Sequence, residues 1–565
     1  MSQASTIIHT DEPPRRATAN VTIAQYLIRR LQDYGVDDMF GIPGDYILAL
    51  YSELEKSPIR MIGCTREDCA GFAADGYARV RGMGAVCVTY CVGGLSICNS
   101  IAGAYAEKSP VVVLTGSPGL KERNTGALLH HMVRNFRTQY DVFEKFTIAG
   151  TELNDSLTAF SEIDRVLDAC DRYKRPVYIE LPRDMVNVIP PVAHGYTGAG
   201  FQHNQEATDE AIRETVLRLA NAQNPVILAG VEMHRFRLQD QLIQLAESTN
   251  MPIATTMLGK SVVSERHPLF IGLYEGAIGD AEVTRFVEES DCVLMLGTFL
   301  TDINLGIFTA KLDPGRCILA TSETLRISHH HFHNVDLKAY LAGLIEAAPT
   351  TTTRDTTHLV ARTSTETAEE AATELLQTSW MVRQLNQRLD ADTIVITDVG
   401  DCLFAATELT IHDRSEFLSP AYYTSMGFSI PAALGAATAK PDHRIVVLVG
   451  DGAFQMTGQE LSTLIRQGHN PIVILLDNHG YGTERYLHEG EWKYNEVAKW
   501  NYGELMKVYG RGISHLVSTK AEFNNALDAA WNQTDLPHLI HAKLEENDAS
   551  QTLRKLAERM SKTVG

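Results

Sequence analysis

Short runs of apolar residues recur along the chain and alternate with longer segments whose hydrophobic residues follow helical spacing. The runs form three groups, which include MIGCT and PVVVLTG, then PVILAG and CVLMLG, and finally TIVITD and PIVILLD. Strands that are apolar on both faces and are separated by helices are typical of parallel sheets covered by helices on both sides. The pattern therefore predicts an α/β protein built from doubly wound domains with mainly parallel sheets.

Two stretches without hydrophobic periodicity separate the three groups of strands. One covers residues 183–207 and mixes Pro, Gly and His, while the other covers residues 348–373 and is rich in Thr and Ala, as interdomain linkers often are. A chain of 565 residues is also too long for one hydrophobic core. We therefore expect three domains of similar size, over residues 20–190, 208–348 and 374–565.

The composition narrows the possible partners and the cellular location. The formal net charge of −20 repels polyanions, so binding to nucleic acid or to an anionic membrane is not expected. The nine cysteines are an odd number without a C-x-x-C pair, which is typical of reduced thiols in a cytoplasmic protein. The residues up to Ala19 are polar and predict a flexible arm rather than a secretory signal, and no apolar run is long enough to span a membrane.

The stretch VVLVGDGAFQ in the third group places an acid, Asp451, between two glycines directly after an apolar strand. Glycine-rich turns of this kind bind phosphate through backbone N–H groups, but a carboxylate repels phosphate unless a cation lies between them. The next strand ends in LLDNHGYG, and the carboxyl ends of neighbouring parallel strands meet at one edge of a sheet. Asp451, Asn478 and the carbonyl group of Gly480 are therefore predicted to bind magnesium together with phosphate oxygens. The N–H groups of Gly452 and Ala453 would contact the phosphate directly.

Taken alone, the GDG sequence is more often a tight turn than a ligand site. Together with the following helix, strand and DNHGYG sequence it resembles the thiamine diphosphate enzymes, although Asp477 replaces the first Asn of their Asn pair. The resemblance implies thiamine diphosphate and Mg²⁺ as cofactors, and Tyr481 as a further cofactor-binding residue. It also implies that the diphosphate and the aminopyrimidine bind different domains, usually across a dimer interface. A homodimer, or a homotetramer built from two dimers, is therefore expected.

In the first domain, the stretch GCTREDCAGFAADGYAR looks like the pyrimidine side of such a site. Glu67 follows a strand and precedes a helix with many small residues, which permit the close approach of another element. The resemblance implies that the Glu67 carboxylate hydrogen-bonds to the pyrimidine and so promotes loss of the proton at C2 of the thiazolium ring. The alternative for Glu67 is an acid in the first turn of a helix that only the helix dipole stabilises.

Three further stretches narrow the family. FGIPGDY contains Asp45, GALLHHMVRNF contains His130 and His131, and GYGTERYLHEG contains Glu484 shortly after the Asn motif. An isolated pair of histidines is more often structural than catalytic. Together with the R-E-D of TREDC, however, these positions are similar in order and spacing to those of the pyruvate and indolepyruvate decarboxylases, from about Thr22 to the last strand. The resemblance implies an acid/base cluster for the non-oxidative decarboxylation of a 2-oxo acid to an aldehyde and CO2.

The resemblance also assigns residues around the cofactor and the substrate. Asp401 and Cys402 match positions that flank the diphosphate. Met426 matches the bulky residue that bends the cofactor, with core packing as the alternative, and the carbonyl group of Thr424 would accept from the 4′-amino group. Pyruvate-specific relatives carry Trp at the position of Leu403. The shorter side chain predicts a substrate pocket that favours aromatic 2-oxo acids of the indolepyruvate or phenylpyruvate type, or branched and longer aliphatic ones, with pyruvate as the alternative.

The middle domain contains no charged constellation with an evident catalytic role. Consecutive histidines in SHHHFHNVDL point in different directions on any regular element, which argues against a metal site there. Some yeast-type decarboxylases are activated by substrate through a cysteine in this domain. The matching stretch LAGVEMHRFRLQD has no cysteine, which argues against that mode of regulation.

Three other functions fit the sequence less well than decarboxylation. An acetohydroxyacid synthase joins two 2-oxo acids and holds FAD, but it normally lacks the His pair. A non-catalytic homologue would have lost one or more of the catalytic positions, and none of them is missing. A nicotinamide dehydrogenase requires G-x-G-x-x-G after a strand with an acid downstream, and that combination is not well placed in this sequence.

Overall fold

The structure is a computed structural model, and it describes residues 20–196, 198, 203–351, 356, 359 and 373–564. The predicted N-terminal arm and most of the predicted linker between residues 348 and 373 lie outside these residues. Among the described helices, none combines the length and the apolar character that are needed to cross a membrane.

The first sheet consists of parallel strands with helices packed on both faces. Its strands are β1 (Asp38–Gly41), β2 (Arg60–Gly63), β3 (Gly84–Val88), β4 (Val111–Ser117), β5 (Ala149–Glu152) and β6 (Val177–Pro182). They lie in the order β2-β1-β3-β4-β6-β5. The helices are α1 (Ile23–Asp33), α2 (Leu48–Leu54), α3 (Glu67–Arg81), α4 (Val92–Ser96), α5 (Cys98–Ala106), α6 (Leu120–Arg123), α7 (Thr138–Phe143) and α8 (Ala159–Tyr173).

The second sheet is mixed, because a short antiparallel extension follows its parallel strands. Its strands are β7 (Pro225–Ala229), β8 (Ile253–Thr255), β9 (Phe270–Leu273), β10 (Cys292–Leu296), β11 (Cys317–Ala320), β12 (Leu325–Ile327) and β13 (His330–Phe332). They lie in the order β13-β12-β11-β10-β7-β8-β9, with β12 and β13 antiparallel to their neighbours. The helices are α9 (Gln205–Asn221), α10 (Val231–Arg235), α11 (Gln239–Thr249), α12 (Ala281–Glu288) and α13 (Leu337–Ala347).

The third sheet is again parallel throughout. Its strands are β14 (Thr393–Thr397), β15 (Phe417–Leu418), β16 (Arg444–Gly450), β17 (Ile472–Asp477), β18 (Ile513–Val517) and β19 (His538–Lys543). They lie in the order β15-β14-β16-β17-β19-β18. The helices are α14 (Thr378–Asn386), α15 (Asp401–Ala406), α16 (Ser429–Ala439), α17 (Asp451–Thr457), α18 (Leu461–Arg466), α19 (Gly482–Leu487), α20 (Leu505–Val508), α21 (Lys520–Asn532) and α22 (Gln551–Val564).

These sheets confirm the predicted fold class of three α/β units with mainly parallel strands. Each sheet falls within one of the three predicted domains, whose bounds stay a prediction. Short 3₁₀ helices complete the regular structure at Met257–Gly259, Pro314–Arg316, Gly458–Glu460, Lys493–Asn495 and Tyr502–Glu504. The histidines of SHHHFHNVDL lie in and beside edge strand β13. Nδ1 of His330 is 3.0 Å from the Glu214 carboxylate.

Helices α3 and α16 join the first and third sheets by packing backbone against backbone. A Cβ atom added to Gly76 would lie 2.4 Å from the carbonyl oxygen of Ala432. One added to Gly435 would lie 2.0 Å from the carbonyl oxygen of Ala73. Real Cβ atoms essentially never approach other atoms within 3.0 Å, so glycine is required at both contacts. A single hydrophobic core therefore extends through both helices and across both sheets.

We expect the substitution Gly435→Ala to lower the thermal unfolding midpoint of the protein by several degrees. Alanine in a helix interior is normally about 1 kcal/mol more favourable than glycine, so helix propensity alone would make this substitution stabilising. The reason is the clash with Ala73, since overpacking of this kind costs about 1–3 kcal/mol. Differential scanning fluorimetry would measure the midpoint. The control is Gly503→Ala, whose added Cβ meets only Asn501 Oδ1 at 3.8 Å, and an unchanged midpoint for Gly435→Ala would contradict the prediction.

Candidate active site

The carboxyl edge of the third sheet brings two carboxyl groups together. Strand β16 ends at Gly450 and Asp451 begins α17, while the neighbouring β17 ends at Asp477. The two strands are paired with Gly450 opposite Leu476, so Asp451 lies beside Asp477 and one residue before the level of Asn478. This is the convergence that the parallel arrangement of the strands predicts.

Asp451 is almost completely buried, with 3% of its surface exposed. Burial, together with the neighbouring Asp477 carboxylate, raises the pKa of Asp451 to about 7. One of its oxygens accepts a hydrogen bond of 2.7 Å from the N–H group of Gly452. A buried carboxyl group in this state is stabilised in its ionised form by a nearby cation. The oxygen donors at this edge therefore fit a divalent metal ion.

Asp477 has a different electrostatic environment from Asp451. Burial opposes its ionisation, but a 2.7 Å contact with Nε2 of the buried His541, together with the nearby His479, lowers the pKa of Asp477 below its usual value. Asp477, which replaces the first Asn of the pair, is thus an acid whose ionised form His541 already stabilises. No signal in the sequence pointed to His541, because it lies on β19, more than sixty residues further along the chain.

The turn after β17 is held in an unusual backbone conformation. Gly480 has φ +152°, and a Cβ atom there would lie 2.0 Å from the carbonyl oxygen of Asn495. The N–H group of Tyr481 donates to the same carbonyl at 2.9 Å. Arg485 donates to the carbonyl of Asn478 at 2.9 Å. Both polar atoms of the Asn495 side-chain amide are buried without a partner among the described residues. Beside this turn, a hydrogen-bond donor and an acceptor are therefore available to a ligand.

The loop of residues 419–428 carries Thr424 and Met426. Thr424 has φ +55°, a conformation that residues other than glycine rarely adopt, and Met426 packs partly against the core shared by α3 and α16. The buried carboxylate of Asp398 accepts hydrogen bonds from the N–H groups of Gly427 at 2.9 Å and Ser429 at 2.8 Å. Asp398 was not among the predicted functional residues, although it closes the TIVITD strand, because the N–H groups that donate to it lie about thirty residues further along the chain.

The same loop is also held from the first sheet. The carboxylate of Glu107 accepts hydrogen bonds of 2.8 Å from the N–H groups of Tyr422 and Tyr423, and Arg79 donates to the carbonyl of Ser419 at 2.8 Å. Arg79 and Glu107 form a buried ion pair of 2.9 Å. Loop 419–428 is therefore held by residues of both the first and the third unit. Neither residue was predicted from the sequence, because both charges lie in segments of mostly small and apolar residues and their partners are far along the chain.

Asp401, Cys402 and Leu403 lie in the first turn of α15. Asp401 accepts a hydrogen bond of 2.9 Å from the N–H group of Ser550, just before α22, and burial raises its pKa to about 7. Cys402 is buried, and burial also raises the pKa of its thiol. Leu403 has 0% exposed surface and packs in a hydrophobic cluster that includes Met257 of the middle unit. Its role as a wall of the substrate pocket stays a prediction.

Asp45, His130 and His131 lie together, and we refer to these three residues as the Asp–His–His cluster. Nε2 of His130 is 2.7 Å from Oδ2 of Asp45, and ligand-type atoms of all three side chains lie within 4.8 Å of one another. The two imidazole rings are 4.8 Å apart at an angle of 83°. His131 has φ +67°, and its Nδ1 atom is buried without a partner in the described part of the chain. The cluster can hold and transfer protons.

The two remaining predicted acids are separate from this cluster. Glu67 is the half-buried first residue of α3, and Glu484 is exposed on α19. Within the residues that the structure describes, no hydrogen bond or ion pair joins Glu484 to the Asp–His–His cluster or Glu67 to Asp451. One chain thus presents the predicted catalytic residues in separate groups.

Three family models match the chain in the order of its three sheets. Residues 21–142 match the thiamine pyrophosphate enzyme N-terminal TPP binding domain, residues 212–347 the central domain and residues 398–542 the C-terminal TPP binding domain. The matched segments contain the Asp–His–His cluster, the middle sheet and the Asp451 edge, respectively. The fold and these matches define a thiamine diphosphate enzyme.

Similar proteins that are named as decarboxylases match nearly the whole chain. An indole-3-pyruvate decarboxylase of Azospirillum brasilense is 35% identical over 542 residues, which is 95% of this chain and 98% of that protein. Pyruvate decarboxylase isozyme 1 of Saccharomyces cerevisiae is 32% identical and covers 95% of this chain and 97% of its own length. Pyruvate decarboxylase 3 of Arabidopsis thaliana is 30% identical and covers 98% and 96%. The chain belongs to the thiamine diphosphate-dependent 2-oxo acid decarboxylase family.

Proposed function

We propose that the protein decarboxylates a 2-oxo acid non-oxidatively to an aldehyde and CO2, with a preference for aromatic or longer aliphatic substrates. The observation that carries the proposal is the Asp–His–His cluster, a group of proton-transferring side chains in contact within a thiamine diphosphate enzyme. Decarboxylation without oxidation leaves a carbanion equivalent that must be protonated before an aldehyde can leave, and this cluster offers the acids for that step.

In this proposal Mg²⁺ is bound by Asp451, Asn478 and the carbonyl group of Gly480. The raised pKa of Asp451 supports a cation at this edge, and the nearby Asn495 amide, which has no partner among the described residues, supports a polar ligand. The N–H groups of Gly452 and Ala453, at the start of α17, would contact the diphosphate. Asp401, Cys402 and Tyr481 complete the proposed diphosphate side of the site.

The proposed pyrimidine side consists of Glu67, Thr424 and Met426. Thiamine diphosphate supplies, through its thiazolium ring, the acceptor for the electrons of the breaking C–C bond. Glu67 would donate a proton to the pyrimidine ring through a short hydrogen bond, and the carbonyl of Thr424 would accept from the 4′-amino group. Met426 would support the bent shape of the cofactor. The positive φ of Thr424 and the hydrogen bond from Gly427 of the same loop to Asp398 support a fixed direction for the Thr424 carbonyl group.

After CO2 is lost, Asp45, His130, His131 and Glu484 would move the protons that lead to aldehyde release. The short contact between His130 and Asp45 allows a proton to be shared between imidazole and carboxylate. Glu484 would lie near the carboxylate of the substrate. Exclusion of water from this cluster would favour protonation of the reacting carbon by a side chain over reaction with solvent.

A homodimer, which could pair further into a tetramer, would bring the separate groups of residues together. Leu128 and Val133 support this part of the proposal, because they flank the two histidines and expose 90% and 65% of their surface in a single chain. The nine free cysteines, seven of them buried, are compatible with the reducing conditions of the cytoplasm, which we propose as the location.

For the substrate, two observations favour a side chain larger than a methyl group. The similar protein of A. brasilense is named for indole-3-pyruvate. In addition, the family resemblance places Leu403 where pyruvate-specific enzymes carry Trp. Because Leu403 is completely buried here, a Trp at this position would overpack the core, so substitution of Leu403 is a poor test of specificity. Pyruvate remains the alternative substrate.

The unmodified holoenzyme should have a higher kcat/KM for phenylpyruvate, indolepyruvate or 4-methyl-2-oxopentanoate than for pyruvate. An additional methylene in an apolar pocket contributes about 1–3 kcal/mol, so the preference should exceed tenfold. Aldehyde release would be followed with a coupled alcohol dehydrogenase, and protein without thiamine diphosphate is the control. The substrate proposal is wrong if pyruvate has a higher kcat/KM than both phenylpyruvate and 4-methyl-2-oxopentanoate.

The affinity for Mg²⁺ with thiamine diphosphate should decrease below pH 7. Cation binding requires the ionised Asp451 carboxylate, and the pKa of this group without a cation is about 7. Below that pH a proton must leave first, so Asp451 should contribute a loss of about tenfold in affinity per pH unit. Calorimetry from pH 5.5 to 8 would compare the protein with Asp451→Asn, which should bind weakly and lack this contribution. Asp392→Asn, an exposed acid before β14, is the control; equal pH slopes for all three proteins would contradict the prediction.

Hybrid dimers should show whether one site uses residues of two chains. If Glu67 of one chain and Asp451 of the other serve the same cofactor, a hybrid of Glu67→Gln and Asp451→Ala chains contains one intact site and one doubly altered site. Co-expression with two different affinity tags and purification through both should then recover about half of the activity of the unmodified dimer. Each variant purified alone is the inactive control. Inactive hybrid dimers would mean that both residues act within one chain.

A further inference from the structure

Tyr46 directly follows Asp45 and contacts the His130 side chain of the Asp–His–His cluster. The two rings are stacked, with centroids 4.7 Å apart and an angle of 20° between their planes. The Tyr46 hydroxyl lies 3.3 Å from Nδ1 of His130, the ring nitrogen that does not face Asp45. The same ring meets His131 edge-on at 5.9 Å. Tyr46 therefore contacts both imidazoles. Its hydroxyl can bond to Nδ1 of His130 while Asp45 bonds to Nε2, so the two residues together influence which ring nitrogen carries the proton.

The Tyr46 ring is fixed by its own surroundings. Its exposed surface is 2%, and it belongs to a small buried cluster with Tyr90 and Cys91. The backbone of Tyr46 passes so close to β4 that a Cβ atom on Gly116 would lie 2.1 Å from its carbonyl oxygen. A ring held in this way can define the plane of an imidazole that stacks on it, whereas His130 itself is exposed in a loop.

Arg183, which follows β6, connects this ring to the charges around it. Its guanidinium lies over the Tyr46 ring, 5.1 Å from the centroid, and Nη1 is 3.9 Å from Oδ2 of Asp45. Two hydrogen bonds to Glu122 hold the guanidinium, one of them 3.0 Å from Nε, and these bonds lower the pKa of Glu122. Arg183 thus lies between two carboxylates and beside the stacked rings.

We propose that Tyr46 and Arg183 are positioning residues of the Asp–His–His cluster, with Tyr46 fixing the plane of His130 and Arg183 setting the charge that an anionic substrate meets. The catalytic role of these two residues rests on the proposed decarboxylation, but their effect on the histidines does not. Neither residue touches the reacting atoms in this proposal. Both act through His130 and Asp45.

The charge balance gives the proposal a direction. Among the described residues, the charged or titratable groups around His130 and its partner Asp45 are Glu122, His131, Tyr46 and Arg183. Removal of the Arg183 charge would leave the two carboxylates without their cation, so a proton on the cluster would be held more tightly. The pH at which the histidines lose their proton would then move upwards by roughly half a unit, as expected for one charge at this distance near the surface.

The direct test is the reaction of the His130–His131 segment with diethyl pyrocarbonate between pH 5 and 8, followed by mass spectrometry of the peptide. Only the neutral imidazole reacts, so the midpoint of the rate against pH reports loss of the proton. We expect Arg183→Met to raise this midpoint by roughly half a pH unit. Arg183→Lys should keep it near the original value, because the charge is retained. Arg165→Met, which breaks another Arg–Glu pair of the same unit at 2.6 Å, is the matched control and should change nothing.

Kinetics separate the two positioning roles. Arg183→Met should raise KM for the anionic 2-oxo acid several-fold, with a smaller change in kcat. Tyr46→Leu should lower kcat by roughly 10- to 100-fold with little change in KM, since it removes the surface on which His130 stacks. Tyr46→Phe, which keeps the ring, should recover most of that loss. Circular dichroism would verify that each variant is folded.

The outcomes distinguish this inference from the proposed function. An unchanged diethyl pyrocarbonate midpoint in Arg183→Met overturns the role of Arg183, whatever the activity of the protein. A Tyr46→Leu variant with full kcat overturns the role of Tyr46. Absence of aldehyde release by the unmodified holoenzyme from every 2-oxo acid tested would instead overturn the proposed function, and the midpoint would still decide whether Arg183 sets the charge at the histidines.

Discussion

Backbone contact between α3 and α16 is the constraint on which the rest of the site depends. Because Gly76 and Gly435 allow the two helices to touch, the first and third sheets share one core instead of two separate ones. That shared core places Arg79, near the end of α3, against the loop that leads into α16. Loop 419–428 is consequently held by Glu107 from one unit and Asp398 from the other. The helix contact thereby serves more than stability, because it determines the geometry of the residues proposed to orient the cofactor.

The second feature is a pair of buried acids, Asp451 and Asp401, for which the described part of the chain provides no ion pair. Asp451 and Asp401 both have a pKa raised to about 7 by burial, whereas Asp477 is kept ionised by His541. An unbalanced buried carboxyl group costs free energy in the folded protein, so such groups are retained where a ligand can compensate them. Asp451 at the sheet edge agrees with a cation site. Asp401 is different, because two hydrogen bonds to Ser550 already use it to hold the start of α22.

The fold class could be predicted because central parallel strands are apolar on both faces and differ clearly from the helices between them. The edge strands β13 and β18 were missed for the opposite reason: β13 consists of His330, His331 and Phe332, and β18 is mostly half-exposed, so neither has an apolar run. Asp45 and the adjacent histidines were identified as candidates from local motifs, and their side chains lie together. Asp398 and Glu107 were not, since their significance lies in bonds to backbone groups far along the chain that only the folded structure brings near.

The two halves of the proposed site differ in how they are held, and this difference has a physical reason. The Asp451 edge is part of a sheet and needs few additional contacts, because neighbouring strands already fix its geometry. The Asp–His–His cluster is on loops, where an imidazole has no regular element to orient it. A buried ring and a guanidinium bound to Glu122 can replace that missing support. Preorganisation of loop residues therefore has to come from side chains such as Tyr46 and Arg183, whereas the Asp451 edge relies on backbone.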